Sequence, residues 1–153
     1  MLFRSLRLLP EVRRRAFRDL VPDAGPPTPH PTAGACCVGA REVLVAYNLW
    51  LAGSTVAQAR SVAAAIRQPA LRALGLEVGE GVQVSMNLVA PERLGPAEAY
   101  DLVAAALVGS DATIDRAEVV GLVPGAVLEA VDPSRWDELD LAPERSIEAR
   151  VRS

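Results

Sequence analysis

Residues 74–89 of the chain read LGLEVGEGVQVSMNLV, and this stretch decides the fold that we predict. A short apolar strand at 74–78 runs into a turn at 79–81, where two glycines can supply the positive φ angles of a hairpin. The returning strand, 82–89, alternates apolar and polar side chains, as a strand does when only one of its faces is buried. The apolar set is Val82, Val84, Met86 and Leu88, and the polar set is Gln83, Ser85 and Asn87.

A strand and a helix are predicted before the hairpin. The run 42–51 is apolar on both faces until Asn48, which is typical of a strand in the middle of a sheet. Thr55 followed by Gln58 is a capping signal, and Pro69 ends the helix that it opens. The apolar stripe of this helix is Val56, Ala59, Ala63 and Ile66.

A second helix and a last strand are predicted after the hairpin. Pro96 suits the first position of a helix, and Gly109 suits its end. A strand over 113–123 then stops at Pro124, before a short helix at 126–131. The buried side of the second helix is predicted to be Ala99, Leu102, Val103 and Ala106.

The order strand, helix, strand, strand, helix, strand predicts an α+β fold. Two right-handed βαβ units joined by a hairpin give the ferredoxin-like βαββαβ sandwich, an antiparallel sheet with both helices on one face. An N-terminal helix and a Pro/Gly loop precede it. In the N-terminal helix, Val12, Ala16 and Leu20 follow Pro10 at helical spacing.

We therefore divide the chain into three segments: the helix at 1–21, the fold with its loop at 22–131, and a charged, loosely held tail at 132–153. At 153 residues the chain has room for one ordinary domain. Ala is the commonest apolar residue and only 4% of all residues are aromatic, which indicates a core of small side chains.

Composition also limits the partners. A net charge of −3 gives no general attraction to nucleic acid or to an anionic membrane, and no apolar run is long enough to span a bilayer. A cytoplasmic location is the default expectation. The neighbours Cys36 and Cys37 are too few for a metal site and poorly placed for a disulfide, so we predict two buried side chains and no metal.

The loop at 22–35 is the least ordinary stretch, with five prolines and two glycines. Prolines fix φ and lack an N–H donor, so such a loop stays open and rigid. Together with the stretches 39–48, 83–88 and 118–124, it resembles the C-terminal subdomain of the glutamate formimidoyltransferase family. The motifs occur in the family's order and at similar spacing, from about residue 6 to residue 128.

The resemblance implies a folate enzyme of histidine breakdown built from two such subdomains side by side. Its reaction transfers a formimino group from N-formimino-L-glutamate to N5 of tetrahydrofolate, which serves as co-substrate. The family's catalytic histidine belongs to the N-terminal subdomain, so the catalytic residue of this chain is unknown. By resemblance, the folate-binding loop is residues 25–34, with Ala24 where the family has an aromatic residue: Gly25, Pro26, Pro27, Thr28, Pro29, His30, Pro31, Thr32, Ala33 and Gly34.

Further contacts to substrate are assigned to Arg41, Asn48, Gln83 and Asn87. For His30 we weigh a ligand contact against an exposed or backbone-bonded side chain. Arg41 could bind a carboxylate of the ligand, or could pair with Glu42 or Asp23. The row Gln83, Ser85, Asn87 could line the ligand site or be an ordinary solvated face, and Asn48 could reach that face or cap its strand.

We expect the true reading frame to begin upstream, so that the chain is a fragment whose partner is the missing N-terminal subdomain. Folate and formiminoglutamate are then its ligands, and it could also form a homodimer. The alternative is a non-catalytic ferredoxin-like module for ligand binding or assembly.

Overall fold

The computed structural model of this protein describes residues 9–152. It divides the chain into two compact units, Met1–Arg41 and Glu42–Ser153, and each is described by itself.

In the first unit the N-terminal helix is shorter than predicted. Helix α1 spans Leu9–Arg15. The backbone then reverses at Phe17, whose φ is +59°, and Ala16 pairs with Leu20 in an isolated bridge. The prediction that Ala16 and Leu20 share a helical stripe is therefore wrong, and residues 1–8 of the predicted segment lie outside the described residues.

Cys36 and Cys37 are exposed, so the prediction that they are buried was wrong. The strand that we expected them to enter begins only at Val45. The extended, proline-rich backbone before it packs few side chains, since residues 25–43 are all exposed.

The second unit contains the six predicted elements in the predicted order. Its strands are β1 (Val45–Ala52), β2 (Leu71–Val78), β3 (Gly81–Leu88) and β4 (Thr113–Val120). Its main helices are α2 (Val56–Ile66) and α3 (Pro96–Leu107). Two short helices, α4 (Gly125–Glu129) and α5 (Ile147–Arg152), follow, with 3₁₀ turns at Pro133–Arg135 and Pro143–Arg145.

The four strands form one antiparallel sheet in the order β2-β3-β1-β4. With α2 and α3 as the crossovers, this is the ferredoxin-like arrangement, and the predicted fold is confirmed. Thr55 caps α2 as expected, since its Oγ1 accepts from the Gln58 N–H at 3.2 Å. Gly109 follows α3 with a φ of +85°.

The core lies between the sheet and the two helices. From the central strands it takes alternate residues, including Tyr47 and Leu49 on β1 and Val84 and Met86 on β3, all nearly or fully buried. On α3, Ala99 and Val103 are buried as predicted, Leu102 is half-buried, and Ala106 is exposed. Leu107 takes the place that we gave to Ala106.

Gly75 sets how closely α2 lies on the sheet. A Cβ atom built on Gly75 would overlap the backbone of Ala59 and Arg60, so the helix rests directly on the strand. Ala59 and Ala63, both fully buried, keep the facing side of α2 equally thin. The small-residue core predicted from composition arises from this contact.

We expected the tail after residue 132 to be loosely held, but in the structure it packs against the core. Leu139 is fully buried and Leu141 is 4% exposed, and both belong to the core. The hydroxyl of Tyr47 donates to the Leu139 carbonyl at 3.3 Å, and burial raises the pKa of that phenol. Two apolar residues among many charged ones thus pack the segment against the core.

The tail also covers the outer edge of β4. The Asp140 carboxylate accepts from the Val119 N–H at 2.8 Å, and Arg145 donates to the Val119 carbonyl at 2.9 Å. Arg145 and Asp140 are themselves paired at 2.8 Å. Val123 and Ser146 add a parallel bridge just beyond. An edge strand closed in this way presents fewer unpaired backbone groups to another chain.

No helix in residues 9–152 combines the length and the apolar character that crossing a membrane would take.

Gly75→Ala is expected to destabilise the second unit by about 3 kcal/mol, because the added methyl group overlaps helix backbone that has no room to move. The measurement is urea denaturation followed by circular dichroism. Gly39→Ala is the matched control, since a Cβ there meets nothing within 4 Å, and it should change stability by less than about 0.5 kcal/mol. Equal stability of the two variants would contradict the close packing.

Candidate functional site

The Pro/Gly loop, in the first unit, contains a tight turn held by His30. Its N–H donates to the Gly34 carbonyl and its carbonyl accepts from the Gly34 N–H, both at 2.9 Å. The ring Nδ1 accepts from the Ala33 N–H at 3.1 Å and from the Thr32 N–H at 3.3 Å. Of the alternatives weighed for His30, the structure therefore has the exposed, backbone-bonded side chain. An Nδ1 that accepts leaves the proton of the neutral ring on Nε2.

Gly25 and Gly34 are required by backbone conformation. Their φ angles are +93° and +68°, in the region that side chains with a branched Cβ avoid. A Cβ on either residue would meet no atom within 4 Å in the described part of the chain. The other predicted loop residues are all exposed.

Arg41, the last residue of the first unit, is exposed. Neither of the ion pairs that we considered, with Asp23 or Glu42, is among the salt bridges of the described residues. Its guanidinium remains a candidate for a ligand carboxylate.

In the second unit, the predicted polar row lies on the sheet face opposite α2 and α3. We call this the open face. Gln83, Ser85 and Asn87 on β3 pair there with Trp50, Asn48 and Ala46 of β1. On their other side they pair with Leu76, Leu74 and Arg72 of β2. Three of the four predicted contact residues, Asn48, Gln83 and Asn87, are thus brought to one surface.

Gln83 is the exceptional member of the row. It is only 6% exposed, and its Oε1 has no hydrogen-bond partner among the described residues. Ser85 is half-buried and Asn87 is exposed. Leaving a buried amide oxygen unpaired costs about 1–3 kcal/mol, and a donor from outside the chain reaches this oxygen only when the groups that cover it move aside.

Asn48 reaches the open face and binds Glu118, its direct cross-strand neighbour on β4. The Asn48 Nδ2 donates to Glu118 Oε2 at 3.0 Å, and the Trp50 Nε1 donates to the same oxygen at 3.1 Å. These two hydrogen bonds hold the pKa of the Glu118 carboxyl below its usual range. The carboxylate is therefore ionised and fixed at neutral pH.

Trp50 lies across the open face from β4 to β3. At one end its Nε1 binds Glu118, and at the other a Cβ on Gly81 would lie 2.6 Å from the ring atom Cζ3. The Arg116 guanidinium covers the ring, 4.4 Å from its centroid. Such a stack contributes about 0.5–1 kcal/mol at an exposed site. The β1–β4 register shifts next to Trp50, and bulges of this kind redirect neighbouring side chains.

A groove runs along the β2 side of the open face. Arg67 and Arg72 contribute two guanidinium groups to it, beside the amide of Asn87. Arg67 is anchored through Nε, which donates to the Ala73 carbonyl at 2.8 Å. Planar guanidinium groups suit carboxylates.

Sequence reasoning missed Trp50, Arg116, Arg72 and the role of Glu118. Trp50 could have been found, because it lies two residues after Asn48 and must share its face of the strand. Glu118 opens the stretch 118–124 that carries part of the family resemblance, but we predicted no role for its carboxylate. Arg116 could have been found in the same way, because it lies two residues before Glu118 and shares its face of β4, and the register shifts only beyond Arg116.

Trp50→Phe is expected to raise the pKa of Glu118 towards its ordinary value, because the variant keeps a ring but loses one of two donors. A lowered pKa contributes stability above the unfolded-state pKa, and that contribution disappears as the pH falls through the folded-state pKa. The variant should therefore lose about 1 kcal/mol at pH 7 through this bond and close to nothing through it at pH 2.

Carboxyl NMR titration of Glu118 is the measurement, with denaturation at both pH values. Trp136→Phe is the control, since its Nε1 donates to the Val131 carbonyl and not to a carboxylate. An unchanged Glu118 titration in Trp50→Phe would rule out the assigned cause.

No group of three or more His, Cys, Asp or Glu side chains that could hold a metal lies within the described part of the chain. No protein-family model matches the sequence. Two curated proteins do, and both are named glutamate formimidoyltransferase.

The chain is 33% identical over 117 residues to the protein of Streptococcus pyogenes serotype M1, a match that covers 72% of this chain and 39% of that protein. It is 34% identical over 114 residues to the protein of Thermoplasma acidophilum, covering 70% of this chain and 37% of that protein. The chain thus spans less than two fifths of the length of these relatives. Over that part, it is related to the glutamate formimidoyltransferases.

Proposed function

We propose that this chain is the folate-binding subdomain of a formimidoyltransferase that acts on N-formimino-L-glutamate and tetrahydrofolate. The observation that carries the proposal is the 33–34% identity to two proteins of that name over 72% and 70% of the chain. In this proposal the folate co-substrate binds at residues 25–34, and Arg41, Asn48, Gln83 and Asn87 contact the substrates.

The loop supports the proposal through its rigidity. The bonds between His30 and Gly34 close the turn before any ligand arrives, so little ordering remains to be done on binding. The backbone of the loop is exposed over its whole length, so a flat ring could lie against it.

The open face supports it through chemistry. Formimino transfer requires anchors for carboxylates, acceptors for N–H groups, a base for N5 and an acid for the leaving nitrogen. Arg67 and Arg72 suit carboxylates, and Gln83 Oε1 and the Glu118 carboxylate suit N–H donors. His30 is not assigned as the base, because its Nδ1 already accepts two backbone N–H groups. A partner subdomain is proposed to supply that base.

Folinic acid, a stable formyl analogue of the product, is expected to shift the backbone amide signals of residues 25–34 in an NMR titration. Affinity should be weak, around the millimolar range or ~4 kcal/mol, because one subdomain offers only part of the site. Gly34→Val should abolish the shifts, because a β-branched residue is strained at a φ of +68°.

Gly34→Asn is the matched control, since asparagine tolerates a positive φ and should retain the shifts. Loop signals that stay unmoved at saturating folinic acid, in a folded protein, would overturn the assignment of the loop.

Formimino transfer by the chain alone is expected to be undetectable, since no residue of it is assigned as the base. The assay follows 5-formiminotetrahydrofolate from formiminoglutamate and tetrahydrofolate. Mixing the chain with the part of the Streptococcus pyogenes relative that it does not match should produce a complex in sedimentation. Turnover by the chain alone, at the rate of the full-length relative, would overturn the division of labour proposed here.

A non-catalytic module is the second candidate, and the capped ring of His30 is the observation that favours it. A chain that binds folinic acid but neither that partner nor formiminoglutamate would fit this candidate better.

A further inference from the structure

The indole of Trp50 is the most firmly oriented aromatic group on the open face. Its Nε1 is tied to an ionised Glu118 at 3.1 Å, and its far edge rests against Gly81, where no side chain intervenes. Gln83 is its direct cross-strand neighbour on β3. A ring fixed at both ends needs no reorientation when a second flat group stacks on it.

The cover over this indole is replaceable. The Arg116 guanidinium lies 4.4 Å from the ring centroid, yet the Arg116 side chain is 58% exposed. Its salt bridge is to Asp115, whose side chain is 53% exposed. Exposed contacts of both kinds are weak, so an incoming ring can displace the guanidinium at little cost.

The polar atoms around the indole point to the kind of ring that would fit. Gln83 Oε1 is buried and has no partner among the described residues, and Glu118 is a carboxylate with a lowered pKa. Both groups accept hydrogen bonds. A ring that carries N–H groups on its rim therefore complements this surface better than a hydrocarbon ring.

We propose that Trp50 is a stacking platform for the aminopyrimidinone ring of the folate, which replaces Arg116 over the indole. This inference rests on the proposed function, since it names a contact residue for the folate of that proposal. The amino and ring N–H groups of an aminopyrimidinone are donors, as the Glu118 carboxylate requires, and Gln83 Oε1 accepts from them once the groups that bury it move aside. The benzoyl ring of folate carries a single such group, the N10–H.

The test is an NMR titration of the full chain with folinic acid, following the indole N–H signals of the two tryptophans, Trp50 and Trp136. Trp136→Phe assigns the signals. The Trp50 signal should move and saturate, while that of Trp136, bonded to the Val131 carbonyl, should not. Para-aminobenzoylglutamate, which lacks the pyrimidinone, should leave both signals unmoved.

Variants separate stacking from other contacts. Trp50→Leu should weaken folinic acid binding about five- to 150-fold, the range expected for loss of one stacked base. Trp50→Phe should lose less, because it keeps a ring. Arg116→Met should bind as tightly as the wild type or more tightly, with Arg60→Met, on the exposed side of α2, as the control. A loss in Arg116→Met as large as in Trp50→Leu would overturn displacement.

The outcomes for the two proposals are distinct. Shifts at residues 25–34 with an unmoved Trp50 indole would overturn this inference and leave the proposed function standing. A moving indole with unmoved loop signals would support the inference and reject the loop. If neither set moves at saturating folinic acid, both are overturned. A response to para-aminobenzoylglutamate equal to that for folinic acid would overturn the choice of ring.

Discussion

The contact between α2 and the backbone of β2 at Gly75 is the constraint on which the second unit depends. It brings the helix layer so close to the sheet that only small residues, such as Ala59 and Ala63, fit on the helix side. Larger residues of the sheet, Tyr47 and Met86 among them, fill the space beside that contact. A thin core of this kind buries limited apolar area per residue, so the docking of Leu139 and Leu141 is a substantial addition.

Because both helices pack on one face of the sheet, the period of two along each strand divides the chemistry. Tyr47 and Leu49 of β1 serve the core, while Asn48 and Trp50 serve the open face. The alternation along β1 therefore places an amide and an indole on the open face. There the Asn48 amide donates to Glu118, and the Arg116 guanidinium covers the Trp50 ring. The open face combines an ionised carboxylate, a buried unpaired amide oxygen and an oriented aromatic ring, which a merely solvated sheet face does not need.

The fold could be predicted from the sequence because the patterns that indicate its helices and strands are local. Alternation in 82–89, the Thr55 cap and Pro96 each fix an element through contacts within a few residues. Tertiary effects defeated the rest. Ala106 and Leu107 differ by one position on α3, and the helix rotation that chooses between them is set by packing. The tail looked charged and loose, yet two leucines and the pairing of Asp140 with the β4 backbone hold it.

The candidate site could be predicted only in part, because some of its contacts also depend on tertiary structure. The amide row on β3 follows from alternation alone, and Asn48 joins it through strand register. The contact of Arg116 with Trp50 depends on the pairing of β4 with β1, two strands far apart in the sequence. The lack of a partner for Gln83 Oε1 among the described residues depends on what surrounds it in three dimensions. The backbone bonds of His30 are local, but they require a particular turn geometry that many loops of this composition would not adopt.

The central position of β1 has a consequence for how the chain acquires its structure. Its partner strand on one side, β4, lies far along the chain, since Asn48 and Glu118 are 70 residues apart. Its contact with the tail is more distant still, since Tyr47 and Leu139 are 92 residues apart. The β2–β3 hairpin closes over a turn of a few residues and can form at once. During synthesis β1 therefore emerges before the other three strands, and its pairing in the sheet is complete only when β4 has emerged. Until Asp140 and Arg145 have been translated, the outer edge of β4 keeps unpaired backbone groups at Val119, and such an edge is a template for pairing with another chain.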